Sequence, residues 1–260
     1  MLVYISLVVN TLNEERNIAD CILSAKDLVN EVVVADMHSD DRTVEIAQSL
    51  GASVYQIELR PFVDPVRNFA IDKANGDWIL LLDADERLVP ELVTELRRVA
   101  EADQADVVEL HFDTFMFGQQ IQYFSSHEGR CRFFRKGFLR YTDQEVHGLP
   151  KTKGRHLVIP PSAGRLQHYN YENLRHFIKK MNDYTDGEAL KLLRSDGTIN
   201  PLRGAYWGFR NFFKRYFRLE CYKGGNYGFI LSVLMGFYWF LSFCKAWELK
   251  KQNLKKIPPK

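Results

Sequence analysis

A chain of 260 residues with 46% hydrophobic and 26% charged residues can bury a full core, as one large domain or one domain with an appendage, and its composition excludes a disordered chain. Its net charge of +2 hides an asymmetry: residues 203–260 hold 12 Lys/Arg against two Asp/Glu, a net +10, which leaves 23 against 31, or −8, for residues 1–202. Cys21, Cys131, Cys221 and Cys244 stand far apart without a C-x-x-C pair, a pattern that suggests neither a zinc cage nor a disulfide framework and fits a reducing compartment.

The first segment, MLVYISLVVNTLNEE, has no basic leader and turns polar after nine residues, so it reads as a strand over Leu2 to Val9 rather than a secretion signal. Ile18, Cys21, Ile22, Ala25, Leu28 and Val29 then recur at helical spacing, with Asn13 as the expected N-cap. Glu31 to Asp36 is a second strand. A helix from about Asp41 carries Val44, Ile46, Ala47 and Leu50, Gly51 closes it, and Ala52 to Leu59 is a third strand. Pro65 opens a helix through Ala74, Gly76 ends it, Asp77 to Asp83 is a buried strand, and another helix starts at Pro90. Repeated βα units of this kind predict a doubly wound, mostly parallel α/β sheet. Ligands of such sheets bind beyond the carboxyl ends of the strands.

Three polar clusters fall at those ends: Asn10 to Glu15, Asp36 to Thr43, and Asp83 to Glu86. Each alone is an ordinary set of turn and cap residues. Together they point to one cleft. Asp83 and Asp85, separated by one alanine at a strand end, suit a divalent cation, Mg2+ or Mn2+, that keeps some waters and neutralises a diphosphate. Asp36 is suited to accept hydrogen bonds from a nucleoside, and Arg67 to contact a diphosphate. The absence of G-x-G-x-x-G and of a Walker lysine loop argues against a dehydrogenase and a P-loop enzyme.

As a set, N-T-L-N-E-E at 10–15, D-M-H-S-D-D-R-T-V-E-I-A at 36–47, R-N-F-A at 67–70, G-D-W-I-L-L-L-D-A-D-E-R-L at 76–88 and V-H at 146–147 resemble the inverting, A-type glycosyltransferases of family 2. The likeness is nearer still to the bacterial lipopolysaccharide-core β-1,4-glucosyltransferase group, and it covers roughly residues 3–150. The resemblance implies that Thr11, Asn13, Glu14, Asp36, Arg67 and Asp83 line a nucleotide-sugar site, and that Asp83, Asp85 and His147 serve the metal and its diphosphate. Two segments depart from the family pattern. Met37, His38 and Asp40 stand in a stretch that usually reads D-S-G-S-T-D, and Gly148 stands where a glutamate often follows the histidine. Inverting transfer needs a carboxylate to take the acceptor proton, so Glu145 is the preferred base, Asp143 the second candidate and His147 the next residue in the catalytic loop.

From Arg203 onward, Tyr206, Phe209, Phe213 and Phe217 recur at helical spacing beside Arg210, Lys214, Arg215 and Arg218, as in a helix lying among lipid headgroups. Gly228 to Cys244 is a 17-residue uncharged run with basic flanks, short for a span, which favours docking over crossing. The expected organisation is therefore a catalytic domain over 1–200 and a helical membrane-docking segment over 201–260, peripheral or monotopic at the cytoplasmic face of the inner membrane. The expected activity is transfer of a hexose, glucose from UDP-glucose, onto a lipid-linked or lipopolysaccharide-type glycan, with no nucleic-acid partner. Two alternatives stand beside it: transfer to a polyprenyl phosphate, and a catalytically weak scaffold that binds nucleotide sugar.

Overall fold

The computed structural model describes residues 3–58, 64–121, 129–141, 150–194 and 198–255. In chain order the elements are β1 (Ile5–Thr11), α1 (Ile18–Ala25), β2 (Glu31–Asp36), α2 (Thr43–Ser49), β3 (Ser53–Gln56), α3 (Asp64–Lys73), β4 (Trp78–Asp83), β5 (Glu86–Arg87), α4 (Pro90–Glu101), β6 (Val107–Leu110), β7 (Phe112–Met116) and β8 (Gln119–Gln120). They continue with β9 (Arg130–Arg135), β10 (Leu139–Arg140), β11 (Lys151–Thr152), β12 (His156–Val158), β13 (Leu166–Tyr171), α5 (Leu174–Arg194), α6 (Pro201–Phe213) and α7 (Gly225–Lys255). Residues 1–113 and 127–170 form one compact unit, and residues 114–126 and 171–260 form a second.

The first unit is built on a seven-stranded sheet in the order β12-β6-β9-β4-β1-β2-β3. β1, β2, β3 and β4 pair in parallel, as the βα repeats predict, and β9 runs antiparallel to both β4 and β6. Both faces are covered. Ile18, Cys21 and Ile22 of α1 pack with Leu92, Leu96 and Val99 of α4 on one side, and Val66, Ala70 and Ile71 of α3 cover the other. Burial on two sides explains why β1, apart from Ser6, and β4 read as continuous apolar runs rather than alternating ones. Gly76 precedes β4 where its N–H donates to Ser6 Oγ at 2.7 Å, and a Cβ there would collide with Ser6. The observed elements are shorter than expected at several ends. β3 stops at Gln56 rather than Leu59, and α1 begins at Ile18 after Asn17, not after Asn13.

The second unit is mainly helical, with the paired strands β7 and β8 supplied by residues 114–126. Asn200 caps α6 by accepting from Arg203 N at 2.7 Å, with Pro201 in the first turn. α6 and α7 meet through small residues: a Cβ on Gly208 would lie 2.9 Å from Gly236 O, and one on Gly204 would lie 2.7 Å from Phe243 Cβ. α5 lies along α7 as well. Phe177 and Met181 pack with Leu231, Leu234 and Met235, and Ala189, Leu192 and Leu193 pack with Ala246, Trp247 and Leu249. Lys245 adds an ion pair to Asp186 at 2.6 Å. The expected boundary at 200/201 thus coincides with the cap of α6, whereas this compact unit takes in the chain from Tyr171.

Candidate active site

Pairing register brings the polar strand ends together. Thr11 stands opposite Asp36 across the β1–β2 pair, and Asn10 stands opposite Asp83 across the β1–β4 pair. Asn10 and Thr11 are buried, and both amide atoms of Asn10 and the Thr11 hydroxyl have no hydrogen-bond partner among the described residues. Buried polar atoms left unsatisfied cost about 1–3 kcal/mol each, so this end of the sheet is built to meet a polar ligand or water.

The loops after β1 and β2 are laced to each other. Asn13 Oδ1 accepts from Asp40 N at 2.9 Å, Asn13 N donates to Ser39 Oγ at 2.8 Å, and Glu14 N donates to Thr43 Oγ1 at 2.8 Å. Asn13 is therefore not a helix cap. Its φ of +54° lies in the left-handed region that asparagine tolerates, and its amide ties two loops instead. Glu14 accepts from Asn17 Nδ2 at 2.7 Å. Asp36 is fully buried and accepts from Ser39 N at 2.9 Å and Ser39 Oγ at 2.5 Å, which fixes its carboxylate at the strand end.

Asp83 is clamped between two arginines. Arg67 Nη2 lies 2.8 Å and Arg132 Nη2 2.7 Å from its oxygens, and Arg132 also pairs with buried Glu86 at 2.5 Å. Burial pushes the Asp83 carboxyl up, but the charges of Arg132 and Arg67 outweigh it and hold the group well below the ordinary carboxylate range. Burial raises Glu86, partly offset by Arg132. Arg67 is thus an ion-pair partner of Asp83. Its guanidinium also lies 5.2 Å from the ring of Tyr141, whose backbone is clipped at both N–H and C=O by the buried amide of Asn68.

Asp85 is nearly buried and faces His168 of β13, with Nε2 at 3.5 Å from its carboxylate. Its carbonyl accepts from Tyr169 N at 2.8 Å, so β13 holds the end of the D-A-D segment in place. Burial lowers the His168 imidazole, yet the hydrogen bond and charge of Asp85 win and raise it above its ordinary value. Cys21 Sγ sits 3.6 Å from the Asp83 carbonyl, and burial pushes that thiol well up, which makes it inert packing rather than a nucleophile.

The model of Glycosyl transferase family 2 matches residues 6–153, more than half of the chain. The chain belongs to glycosyl transferase family 2. An uncharacterized glycosyltransferase of Rickettsia prowazekii (strain Madrid E), RP128, is 27% identical over 268 residues, covering 96% of this chain and 89% of that one. The lipopolysaccharide core biosynthesis glycosyltransferase LpsC of Rhizobium meliloti (strain 1021) is 27% identical over 248 residues, covering 91% and 89%. Among solved structures, S. aureus TarS 1–349 superposes with a TM-score of 0.50 at 14% identity, covering 98% of this chain and 92% of that one, which supports the shared fold.

Within this family 2 site, one departure has a conformational explanation. His38 occupies the position of the usual glycine in the second-strand segment and adopts φ +62°, the left-handed geometry that glycine would take without strain. Of the expected site residues, Thr11, Asn13, Glu14, Asp36, Arg67, Asp83 and Asp85 gather at the ends of β1, β2 and β4 and the start of α3. Asp143, Glu145 and His147 lie outside the described residues. Sequence reasoning placed Glu86 in the cluster after β4 without a role of its own, and missed Arg132 and His168, which reach the site from strands distant in sequence. Only Glu86 carried a local signal, as the residue after D-A-D. Removing Arg132 would leave Glu86 buried without its cation, so Arg132→Ala is expected to lose about 3–5 kcal/mol of stability in urea denaturation, and an unchanged midpoint would contradict the buried clamp.

Proposed function

We propose that this family 2 glycosyltransferase moves a hexose, glucose from UDP-glucose, with inversion, onto a lipid-linked or lipopolysaccharide-type glycan at the cytoplasmic face of the inner membrane. The observation that carries the donor site is the register that gathers Asn10, Thr11, Asp36 and Asp83 at one sheet end, with polar atoms of Asn10 and Thr11 unsatisfied. Asp36 and Thr11, with Asn13 and Glu14 in the adjoining loop, take the nucleoside. Arg67 takes the diphosphate. LpsC, a lipopolysaccharide core enzyme by name, supports the acceptor class.

The donor set fits a hard divalent cation, Mg2+ or Mn2+. Asp85 and His168 present a carboxylate and an imidazole 3.5 Å apart, while Asp83, held ionised by its arginines, adds negative charge beside them. Such a cation, when bound, neutralises the departing diphosphate. The acceptor hydroxyl attacks the anomeric carbon as the bond to the diphosphate oxygen breaks, and its proton passes to a carboxylate, for which Glu145 is the first choice, then Asp143. His147 serves the cation or its diphosphate. Donor choice is tested by incubating the enzyme and a membrane extract with labelled UDP-glucose, UDP-galactose and GDP-mannose. Consumption of UDP-glucose first is expected, and selective use of GDP-mannose would overturn the donor assignment. A mild-acid-labile, solvent-soluble product would instead indicate transfer to a polyprenyl phosphate.

Membrane attachment rests on the second unit. Cys221–Gln252 is long and apolar enough to cross a bilayer by length and composition, with a mean hydropathy of 1.7 over an 18-residue window. Its neighbour argues for docking. α5 lies beside α7 from Leu231 to Leu249 and carries Lys179, Lys180, Asp183, Asp186, Glu188 and Lys191. A crossing would draw those charges toward hydrocarbon at about 2.5–3.5 kcal/mol for each one left at the bilayer centre. α6 and the turn after it expose Leu202 (83%), Phe209 (68%), Phe213 and Phe217 next to Arg210, Lys214 and Arg218, and α7 exposes Phe229, Val233 and Phe237. Apolar insertion adds to about 1 kcal/mol per basic residue near an anionic surface.

Truncation after Asn200 would uncover the apolar side of α5, so substitutions on the exposed face test docking more cleanly. Phe209→Ser, Phe213→Ser and Phe217→Ser together should weaken sedimentation with phosphatidylglycerol-containing vesicles by about tenfold or more. Undiminished sedimentation would contradict docking through this face.

A further inference from the structure

Away from the strand ends that form the donor site, three side chains of different chemistry converge on the far side of the sheet. Glu109 of β6 stands directly across from Cys131 of β9, and His156 of β12 stands opposite Val107 on the other edge of β6, two residues before Glu109. Their ligating atoms, one carboxylate oxygen, one thiol sulfur and one imidazole nitrogen, all lie within 4.8 Å of one another, and His156 Nδ1 is 3.7 Å from Glu109 Oε1. All three lie on the same face. Leu157 packs on the opposite side with Val108 and Leu110, which turns its neighbour His156 to the face where Cys131 packs with Val107 and Phe134. Gly129 leaves room for the carboxylate, because a Cβ there would lie 3.3 Å from Glu109 Oε2.

We propose that Glu109, Cys131 and His156 form a Zn2+ site, separate in place and chemistry from the hard-cation site at Asp85. Bond lengths of about 2.0–2.3 Å to oxygen, nitrogen and sulfur put tetrahedral ligands roughly 3.3–3.8 Å apart. The Glu109–His156 separation already meets that spacing. The sulfur needs a closure of about 1 Å at most, within the range of small side-chain adjustments at a half-buried carboxylate and an exposed imidazole. A thiolate and an imidazole favour Zn2+ over Mg2+ or Mn2+, whereas a carboxylate set shared with phosphate oxygens favours the latter. Binding releases the Cys131 thiol proton to solvent, and a water completes the fourth position.

The three ligands come from three adjacent strands, and β12 is an edge strand of three residues held by its pairing with β6. Zn2+ there would pin that edge to β6 and β9. It would stabilise the sheet without touching the donor site.

The full-length enzyme, purified with chelator and then dialysed, is titrated with Co2+ as a spectroscopic substitute in excess Mg2+, followed by Zn2+. One equivalent of Co2+ should produce a sulfur-to-metal charge-transfer band in the near ultraviolet together with tetrahedral d–d bands, and Zn2+ should bleach both. Cys131→Ser should abolish the charge-transfer band, and His156→Gln and Glu109→Gln should each weaken binding by about 10-fold or more. Asp85→Ala should leave the bands intact. No charge-transfer band, or one that survives Cys131→Ser and so arises from another cysteine, overturns the site. Far-UV circular dichroism of each variant separates loss of the ligand from loss of the fold, and the partly exposed His156 provides the variant least able to disturb folding.

Discussion

Asp85→Ala should lower sugar transfer by about 10³-fold or more, with Asp83→Ala nearly as severe. The carboxylate that faces His168 is the one proposed to hold a hard cation against the departing diphosphate, and losing that charge stabilisation would cost several kcal/mol, where about 1.4 kcal/mol is tenfold in rate. Asp83 acts differently. It anchors Arg67 and Arg132, so its removal disorders the diphosphate contact and strands a buried arginine. The check is a steady-state comparison of purified variants with saturating Mg2+ or Mn2+, beside wild type in excess chelator. Full activity of Asp85→Ala, or of wild type in chelator, would contradict the cation site.

Glu145→Gln should cut turnover by about 10²- to 10⁴-fold while UDP-sugar binding stays near wild type. The substitution keeps size and hydrogen bonding and removes only basicity, so a proton acceptor and a structural residue give different results. Asp143→Asn should do less. If Glu145→Gln keeps wild-type turnover and Asp143→Asn is inactive, their roles are exchanged. If both remain active, the base lies elsewhere and His147 is the next candidate.

The parallel half of the sheet was legible because β1, β2 and β4 are buried on both faces and leave continuous apolar runs, apart from Ser6 in β1, each ending in a polar cluster. That is a local signal, and it located Thr11, Asp36, Asp83 and Asp85 before any contact was known. The antiparallel insertion of β9 between β4 and β6 left no such mark, because pairing partners 20 to 57 residues apart follow no fixed spacing. Arg132 and His168 were missed for that reason. Each lies in an ordinary strand pattern, and only the fold brings it to Asp83 or Asp85. The misplaced cap at Asn13 has a different cause. A turn asparagine and a helix-capping asparagine look alike in sequence, and the choice is made by Asp40 and Ser39 on another loop. The Glu109, Cys131 and His156 grouping was invisible in the same way, since one ligand from each of three strands forms no motif.

In the tail, Tyr206, Phe209, Phe213 and Phe217, which recur at helical spacing in the sequence, are all exposed. Periodicity could not reveal that α5 shields the opposite side of α7, because α5 reads as an ordinary amphipathic helix until its apolar face meets Leu231 and Ala246.

The central claim is that nucleotide sugar bound at the ends of β1, β2 and β4 is consumed in glycosyl transfer rather than merely held. It is tested most directly by following radiolabel from UDP-glucose into the glycolipid fraction of a membrane extract, with wild type and Asp85→Ala in parallel, while donor binding is measured by calorimetry on the same preparations. Cation-dependent label in that fraction with wild type, and none with Asp85→Ala, is the predicted result. Donor binding by wild type without any transferred label, under conditions where a known family 2 enzyme labels its acceptor, would contradict it and leave a nucleotide-sugar-binding scaffold in its place.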